Sequence, residues 1–320
     1  MTIATAASTA RQGPPSTVSS PRLRALQLRH AIALNVVPLL ATVYAFAAMP
    51  PGRLEIAVFL AFYVFTVLGI EMGYHRLFAH RSYRLHPALR FALAVFGSMA
   101  AQGSVTYWVA NHRRHHAFSD RPEDPHSPYF VGGRPASRWR GLWHAHMGWV
   151  FDHDVTNPLR FARDHLTDRL VVFVGRYYLA WVALGLLLPG AIGFALTGSV
   201  GSAAACAMWG GLVRMVVVQH GTFAINSVCH AFGTRPFEIR DQSRNNWLLA
   251  IPSLGGAWHH NHHAFPSSAV LSLRWWQVDP CGLLIRICQR LGLAHDVLIA
   301  DEARIRRRNA RTTEDGNDQP

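Results

Sequence analysis

Long apolar blocks separated by short polar turns dominate the chain. Residues 31–49 carry no charge and end at Pro50 and Pro51, and residues 56–70 are also uncharged. A second apolar stretch, residues 170–224, has Arg176 and Arg214 as its only charges. About 20 apolar residues cross a bilayer as a helix. The pattern therefore predicts an all-α protein with two helical hairpins, whose four passes lie at about residues 31–49, 54–73, 170–188 and 203–224.

Prolines and glycines mark the expected turns. Residues 50–54 should connect the first pair of passes, and residues 189–202, which begin with Pro189 and Gly190, should connect the second pair. Residues 88–101 are apolar apart from Arg90, but a stretch of this length is too short for a full span. We expect a buried or re-entrant segment there.

The composition agrees with a membrane protein. Charged residues make up 15% of the 320 residues, against roughly 25% in soluble domains. All 31 basic residues are arginines, and the net charge is +13. Such a balance is typical of proteins that bind nucleic acid or an anionic membrane surface, and the apolar blocks favour the lipid bilayer over nucleic acid. The cysteines lack metal-binding spacing and predict buried thiols without disulfides.

The arginines also predict the orientation. Four arginines and no acid precede residue 31, and thirteen arginines face seven acids between residues 74 and 169. By the positive-inside rule, the N-terminus, this middle segment and the C-terminal third are cytoplasmic. We expect the inner membrane of a bacterium. Residues 1–30 are expected to be a disordered basic segment, residues 31–300 the membrane domain, and residues 301–320 a disordered tail that is first basic and then acidic.

Histidines cluster beyond the predicted helix ends. The groups are His75 with His80; His112, His115 and His116; His230 with Asn226; and His259, His260, His262 and His263. Spacings of three and four residues place three imidazoles on one face of a helix in the second and last groups. His75 and His80 are five residues apart and fit one helical face poorly, so we expect them to bind different metals or to lie where the helix frays.

Imidazole is neutral near pH 7 and binds iron, zinc and copper. A single histidine is most often a core or surface residue, but three clusters on one side of a membrane point to a metal centre. With His230 and without His260 they supply nine imidazoles, which exceed the four to six positions around one ion and favour two metals. His30, His86, His126, His165 and His295 stand alone and are assigned no role. His144 and His146 are candidates for contact with a substrate or a ligand, and His260 is expected off the metal face.

The ordered motifs resemble those of the membrane acyl-CoA Δ9 desaturases. They are His-Arg-Leu-Phe-Ala-His at residues 75–80, His-Arg-Arg-His-His at 112–116, Asp-Pro-His at 124–126, Met-Gly-Trp at 147–149, Asn-Ser-Val-Cys-His at 226–230, and the box at 259–266. The resemblance implies four transmembrane helices beneath a cytosolic helical cap that holds a di-iron centre. It also implies an enzyme that uses O2 to introduce a cis double bond into a fatty acyl thioester.

Carried over position by position, the resemblance implies two Fe²⁺ ions and nine histidine ligands, with Asn226 holding a metal-bound water. The ligands would be His75, His80, His112, His115, His116, His230, His259, His262 and His263. A bent tunnel would take the acyl chain past the metals, and Phe223, Thr222 and Trp149 are its candidate lining residues.

Two departures from the family pattern stand out. Family members commonly carry Gly-Glu-Gly before the aromatic residue of the last box, whereas this chain has Gly255-Gly256-Ala257. We therefore expect an acidic group near the metals to be missing. The family also tends to have Trp three residues before the Asn that corresponds to Asn226, whereas this protein has Phe223. We expect this difference to affect the length of the acyl chain that is accepted or the position of the double bond.

Removing hydrogen from an unactivated methylene needs a cofactor, and each turnover needs two electrons. The chain has no dinucleotide-binding, haem or iron–sulfur motif, so a separate donor is expected: a ferredoxin-like or cytochrome b-type carrier with its reductase. Arg134, Arg138 and Arg140 would dock an acidic carrier protein or the phosphates of CoA, or form a solvated loop.

Three other functions compete with an acyl-CoA desaturase. A desaturase or acetylenase acting on an acyl chain linked to acyl carrier protein, and a membrane hydroxylase, would use the same metals. A histidine-rich metal transporter would carry its ligands along the passes near the middle of the bilayer, whereas the clusters here lie beyond the helix ends.

Overall fold

Helices dominate the computed structural model, which describes residues 14–151 and 154–315 and gives side chains up to residue 308. In chain order they are α1 (Pro21–Ala48), α2 (Arg53–Ala79), α3 (Pro87–Met99), α4 (Val105–Phe118), α5 (Arg138–His146), α6 (Pro158–Phe161), α7 (Arg169–Arg176), α8 (Tyr178–Thr197), α9 (Val200–His230), α10 (Trp247–Ala250), α11 (His259–Ala264), α12 (Pro280–Arg290) and α13 (Glu302–Asp315). Four of them, α1, α2, α8 and α9, are long and apolar enough to cross a membrane. The predicted helical membrane architecture with four passes is confirmed.

Three two-stranded antiparallel sheets join distant parts of the chain. They pair β1 (Thr17–Val18) with β5 (Val155–Thr156), β2 (Arg84–Leu85) with β6 (Ala294–His295), and β3 (Phe130–Val131) with β4 (Arg134–Pro135). The first sheet fastens the segment before α1 to residues 155–156, which lie between α5 and α6 in the segment between the second and third passes. The second fastens the C-terminal third to the loop after α2.

The first helix starts ten residues earlier than the sequence predicted. Ser20 accepts a hydrogen bond from the backbone N–H of Leu23, and Pro21 occupies the first turn, which is a favoured way to begin a helix. Residues 14–30 therefore differ from the predicted disordered segment, because a capped helix and a paired strand occupy most of them. Residues 1–13 of that prediction lie outside the described residues.

The third pass is also shifted. The predicted pass at residues 170–188 is divided between α7, which buries Val171 and Val174, and the longer α8, with a break at Tyr177. Residues 170–176 belong to a short amphipathic helix because only one of its faces packs on the protein. The apolar count alone could not separate it from the pass that follows.

Pro189 and Gly190 lie inside α8 and not in a turn. The turn comes later, at Gly198, whose φ of 67° is the left-handed conformation that glycine adopts without strain. A Cβ on Gly190 would lie 3.0 Å from the carbonyl oxygen of Ala203, and a Cβ on Gly193 would lie 2.8 Å from that of Ser202. The small residues therefore let α8 and α9 pack closely, as in many membrane helix pairs.

The short apolar helix α3 packs against the end of α2 that carries His75. A Cβ on Gly73 would lie 3.1 Å from Cβ of Leu93, and the hydroxyls of Tyr74 and Ser98 are 2.8 Å apart. Leu93, Ala94 and Val95 are buried. This arrangement matches the buried segment expected at residues 88–101.

The C-terminal tail also differs from the prediction of disorder, because α13 covers residues 302–315. Arg306 pairs with Glu302 at 2.9 Å along the helix, and Arg308 donates a hydrogen bond of 2.8 Å to the carbonyl of Ala264. Ile305 packs beside Phe237 and Phe265. Residues 316–320 of the predicted tail lie outside the described residues.

Arg214 is fully buried within α9. Its guanidinium donates to three backbone carbonyls: Met99 at 2.7 Å, Gly185 at 2.8 Å and Gly210 at 3.1 Å. These contacts join α3, α8 and α9. Because each buried polar group in a membrane must find a partner within the protein, Arg214 serves as a polar junction between the passes.

Replacing Arg214 with alanine should therefore destabilise the protein strongly. Three carbonyls would lose their donor, and an unsatisfied buried group costs about 1–3 kcal/mol, so we expect a loss of about 3 kcal/mol or more. Thermal unfolding of the purified protein in detergent measures this, with Arg286→Ala on the exposed face of α12 as the control. An unchanged unfolding temperature in Arg214→Ala would contradict the junction.

Candidate metal centre

The nine histidines singled out in the sequence converge into two groups. His75, His80, His112, His116 and His262 form a five-histidine group, and His115, His230, His259 and His263 form a four-histidine group. Within each group, one ring nitrogen of every member lies within 4.8 Å of the others. The ends of α2 and α9, the second half of α4 and the short helix α11 supply them.

The second and last histidine boxes each contribute to both groups, whereas His75 and His80 of the first box lie in the five-histidine group. His115 and His116 are neighbours in the sequence, yet their rings belong to different groups, and His262 is separated in the same way from His259 and His263. The expectation that three imidazoles of one box share a single face is therefore incomplete. In each of these boxes the first and last histidines, four residues apart, share a group. The histidine just before the last one, His115 or His262, belongs to the other group.

A local change of helix type brings His75 and His80 together. Residues 69–79 of α2 form a π-helix, and the backbone N–H of His80 donates to the carbonyl of His75, five residues earlier. π-Helical segments are rare and often mark functional sites. The two rings lie 5.0 Å apart in the same group, so they are not directed to different groups as the α-helical spacing suggested.

The arrangement of ring nitrogens fits a metal centre. The Nε2 atoms of His75 and His262 are 3.0 Å apart, those of His80 and His112 are 2.6 Å apart, and those of His230 and His259 are 2.9 Å apart. His259 and His262 have a buried Nδ1 without a hydrogen-bond partner. Facing lone pairs that have little access to water are the donor set that imidazole-binding metals use.

Four of the nine rings are oriented by carboxylates. The Nδ1 atom of His75 lies 3.1 Å from Glu71, that of His115 lies 3.0 Å from Asp124, that of His230 lies 2.9 Å from Asp120, and that of His263 lies 3.1 Å from Asp241. A carboxylate at Nδ1 fixes the tautomer and leaves Nε2 free to bind a metal. The sequence analysis did not identify the three aspartates, because their spacing from the histidines follows from the loops and not from a helical repeat.

Burial favours the neutral, metal-binding form of several of the imidazoles. Burial and neighbouring imidazoles lower the pKa of His112, His116 and His262 well below the usual value. The pKa of His263 falls to about 4, mainly because the ring is buried, although Asp241 opposes the shift. Burial would raise the pKa of Asp124, but the facing His115 holds it below its usual range. Near pH 7 these rings are neutral and these carboxylates are charged.

A buried ion pair holds the end of α2 against the C-terminal third. The guanidinium of Arg76 donates to both oxygens of Asp279 at 3.0 and 2.9 Å, and also to the carbonyl of Ala269. Asp279 also accepts the backbone N–H groups of Leu271 and Gly282. This contact fixes the distance between the first and last histidine boxes.

A narrow apolar cavity of about 270 Å³ reaches the five-histidine group at His112. The first turns of α1, the start of α4 and residues 222–226 of α9 line it, and Leu23, Leu34 and Tyr178 are among its apolar walls. A more polar pocket of similar size shares Gln27, Tyr107, Asn111 and Trp149 with it. A molecule with its apolar chain in the apolar cavity could therefore place a polar head group in the adjoining polar pocket.

The candidate tunnel residues Phe223, Thr222 and Trp149 all line this cavity, and Asn226 lies beside them. The rings of Phe223 and Trp149 meet edge to face at 6.0 Å. The hydroxyl of Thr222 accepts a hydrogen bond of 2.9 Å from the side chain of Gln102. These contacts fix the shape of the wall nearest Asn226.

The structure gives surroundings to histidines that the sequence left without a role. His126 is buried, its ring centre lies 4.4 Å from that of His115, and it lines the cavity. His146 pairs with His220, which the sequence analysis did not consider, at 3.0 Å. His165 bonds to the carbonyl of Phe78, and His260 bonds to the backbone of Ser243 and Phe237, away from both groups. The Asp-Pro-His motif was the one signal available for His126.

Comparisons with known proteins agree with this geometry. Residues 51–297 match the sequence model of the family described as fatty acid desaturase. The chain is 42% identical over 88% of its length to a hex-5-enoyl-[acyl-carrier protein] acetylenase of Moorena producens (strain JHB), covering 89% of that protein. It is 35% identical over 80% of its length to an sn-1 stearoyl-lipid 9-desaturase of Anabaena variabilis, covering 89% of it. It is 34% identical over 84% of its length to acyl-CoA desaturase 1 of Saccharomyces cerevisiae (strain ATCC 204508 / S288c), covering 52% of that protein.

Removing one ring of the four-histidine group should remove metal. His115→Ala deletes a donor and leaves Asp124 as a buried charge without its partner, so metal affinity should fall by at least tenfold. Metal content of the purified protein by mass spectrometry measures this. His295→Ala, which is exposed and outside both groups, should retain the wild-type content. Equal metal content in the two variants would contradict the assignment.

Proposed function

Because the chain belongs to the fatty acid desaturase family, we propose that it introduces a cis double bond into a fatty acyl thioester by an O2-dependent reaction. The nine histidines would hold two iron ions, and Asn226 would complete the set through a water. The observation that carries the proposal is the apolar cavity that His112 and Asn226 help to line. An alkyl chain in this apolar space would bring a carbon pair to the proposed metals.

The reaction balances only with an external electron donor. Two hydrogen atoms leave adjacent carbons of the acyl chain, two electrons come from the donor and two protons from solvent, and O2 is reduced to two waters. Bound iron supplies the oxidising power that no side chain has. We propose a ferredoxin-like or cytochrome b-type carrier with its reductase as the donor, since the sequence has no redox motif of its own.

The residues of the cavity would position the chain and exclude water. Phe223 is buried, and Trp149 closes the space beside it. The indole of Trp108 donates to Gln102, which in turn donates to Thr222, at 3.3 and 2.9 Å. A wall held by such a network keeps one carbon pair near the metals, and this positioning accounts for a large part of the rate.

We place the protein in the bacterial inner membrane, with both termini and the metal centre on the cytoplasmic side. The argument rests on the arginines, which lie before the first pass, in the cap and after the last pass, whereas the connecting turns hold almost none. The four apolar helices α1, α2, α8 and α9 would lie in the bilayer. The donor and the acyl thioester would both reach the enzyme from the cytosol.

A second candidate is an acetylenase or desaturase that acts on an acyl chain attached to acyl carrier protein. The relative that is 42% identical is a hex-5-enoyl-[acyl-carrier protein] acetylenase, which favours this alternative. Arg134, Arg138 and Arg140 are exposed on the cap and could receive an acidic carrier protein as well as CoA.

Product analysis distinguishes these functions. Purified protein should be incubated with Fe²⁺, O2, a reductase and a carrier, and with an acyl chain presented as a CoA thioester, a carrier-protein thioester or a phospholipid. We expect a product two mass units lighter with one of the two thioesters, and no product without the donor. A gain of one oxygen atom would identify a hydroxylase, and a triple bond from an unsaturated substrate would identify an acetylenase. Sustained turnover on NAD(P)H alone would contradict the separate donor.

Phe223 should help to determine where the double bond forms. Phe223→Trp places a larger ring against Trp149 and changes how far the chain can slide, so the double-bond position or the preferred chain length should shift. Phe223→Ala removes core packing at a cost of about 3–5 kcal/mol and should lower the yield. Locating the double bond by mass spectrometry compares the two variants. Identical products at reduced yield in both would leave Phe223 a packing residue only.

A further inference from the structure

Glu71 is a buried carboxylate on α2, one helical turn before His75. Only 5% of its surface is exposed, and its Oε2 atom lies 3.1 Å from Nδ1 of His75. A carboxylate in such a place carries a large desolvation cost unless a partner compensates it. In the part of the chain that the structure describes, Glu71 is the only carboxylate hydrogen-bonded to the five-histidine group, whereas three aspartates serve the four-histidine group.

Gly256 faces the same carboxylate from the opposite side. A Cβ at this position would lie 2.5 Å from Cδ of Glu71 and 2.7 Å from its Oε2, and closer still to Oε1. Real Cβ atoms essentially never approach other atoms within 3.0 Å. Gly256 has no left-handed φ, unlike its neighbour Gly255. A Cβ at position 256 would therefore displace the carboxylate of Glu71, and with it the contact that this carboxylate makes with His75.

The two positions thus share one volume. An aspartate at residue 256 would place its carboxylate oxygens two bonds beyond Cβ, where the oxygens of Glu71 now lie. A carboxylate from either chain position could occupy this volume beside His75, but two could not, because like charges in one buried site exclude each other. Family members commonly carry a Glu where this chain has Gly256. In this protein, Glu71 on the second pass supplies a carboxylate at the same place.

We propose that Glu71 is a positioning residue that holds the ring of His75 for a metal, and that Gly256 is glycine so that this carboxylate can enter from α2. Glu71 accepts the Nδ1–H of His75, which leaves Nε2 unprotonated and directed at His262. Among the described residues it is also the one carboxylate hydrogen-bonded to the group of five imidazoles that would surround a dication. This role rests on the proposed function, since it presupposes that the five-histidine group binds iron.

Relocating the carboxylate tests the proposal. Full-length Glu71→Ala, Gly256→Asp and the double variant would be purified in detergent, and their affinity for Fe²⁺ measured by competition with a chelator. We expect Glu71→Ala to bind Fe²⁺ 10- to 100-fold more weakly, as for other partners of ligand histidines. Gly256→Asp should also bind more weakly, because two carboxylates compete for one volume. The double variant should recover at least tenfold over either single change.

Controls separate this role from general destabilisation. Glu55→Gln removes a carboxylate from the other end of α2, where Glu55 bonds to the backbone of Gly52 at 2.9 Å, and should leave Fe²⁺ affinity unchanged. Glu71→Gln preserves side-chain size without the charge and should weaken Fe²⁺ binding even if Gly256→Asp does not fold. The absorption spectrum of the Co²⁺-substituted protein should change in Glu71→Ala and return toward wild type in the double variant.

Two results would overturn the proposal: wild-type Fe²⁺ affinity in both Glu71→Ala and Glu71→Gln, or a folded double variant that binds no better than the weaker single variant. These differ from a failure of the proposed function. If the wild-type protein itself binds no iron, the metal centre is wrong. If it binds iron and forms a double bond while the Glu71 variants bind equally well, only the role of Glu71 is wrong.

Discussion

Nine imidazoles must face one another in a space that is largely closed to water, and most of the cap serves this constraint. The rings come from four separate parts of the chain, so no local segment can form either group. Without metal, two facing ring nitrogens such as Nε2 of His80 and Nε2 of His112, 2.6 Å apart, can share only one proton, and the buried rings have lost their hydrogen bonds to water. Their positions must therefore be fixed by contacts elsewhere, and the energy of those contacts must exceed the cost of crowding the rings.

Those contacts are mostly buried charges. Asp120, Asp124 and Asp241 orient rings of the four-histidine group, and the Arg76–Asp279 pair joins the end of α2 to the C-terminal third. Breaking a buried pair by removing one partner typically costs more than the pair itself contributes. The site is therefore stabilised by interactions that tolerate substitution poorly.

The apolar cavity depends on the same elements. Thr222, Phe223 and Asn226 of α9 line it, and the same helix ends at His230. The early start of α1 provides Leu23 and Leu26 for another wall. The helices that shape the cavity therefore also carry histidines of the two groups, so that a change in one of these helices would affect both.

The sequence by itself determined the class of protein, the four apolar passes and the identity of the nine clustered histidines. These follow from one-dimensional patterns: apolar length, arginine distribution and residue spacing. The sequence could not determine the ends of the passes. The amphipathic helix α7 is as apolar as the start of a pass, and the proline and glycines inside α8 have the composition of a turn.

Only the tertiary structure decided how the histidines divide into two groups, and which acids orient them. His115 and His116 separate because their rings leave α4 in different directions, and the π-helical end of α2 joins His75 to His80. Arg214 bonds to carbonyls from three helices, which no spacing encodes. The volume shared by Glu71 and Gly256 depends on residues 185 positions apart in the sequence. Contacts of this kind arise from packing, and packing is fixed only when all the helices are in place.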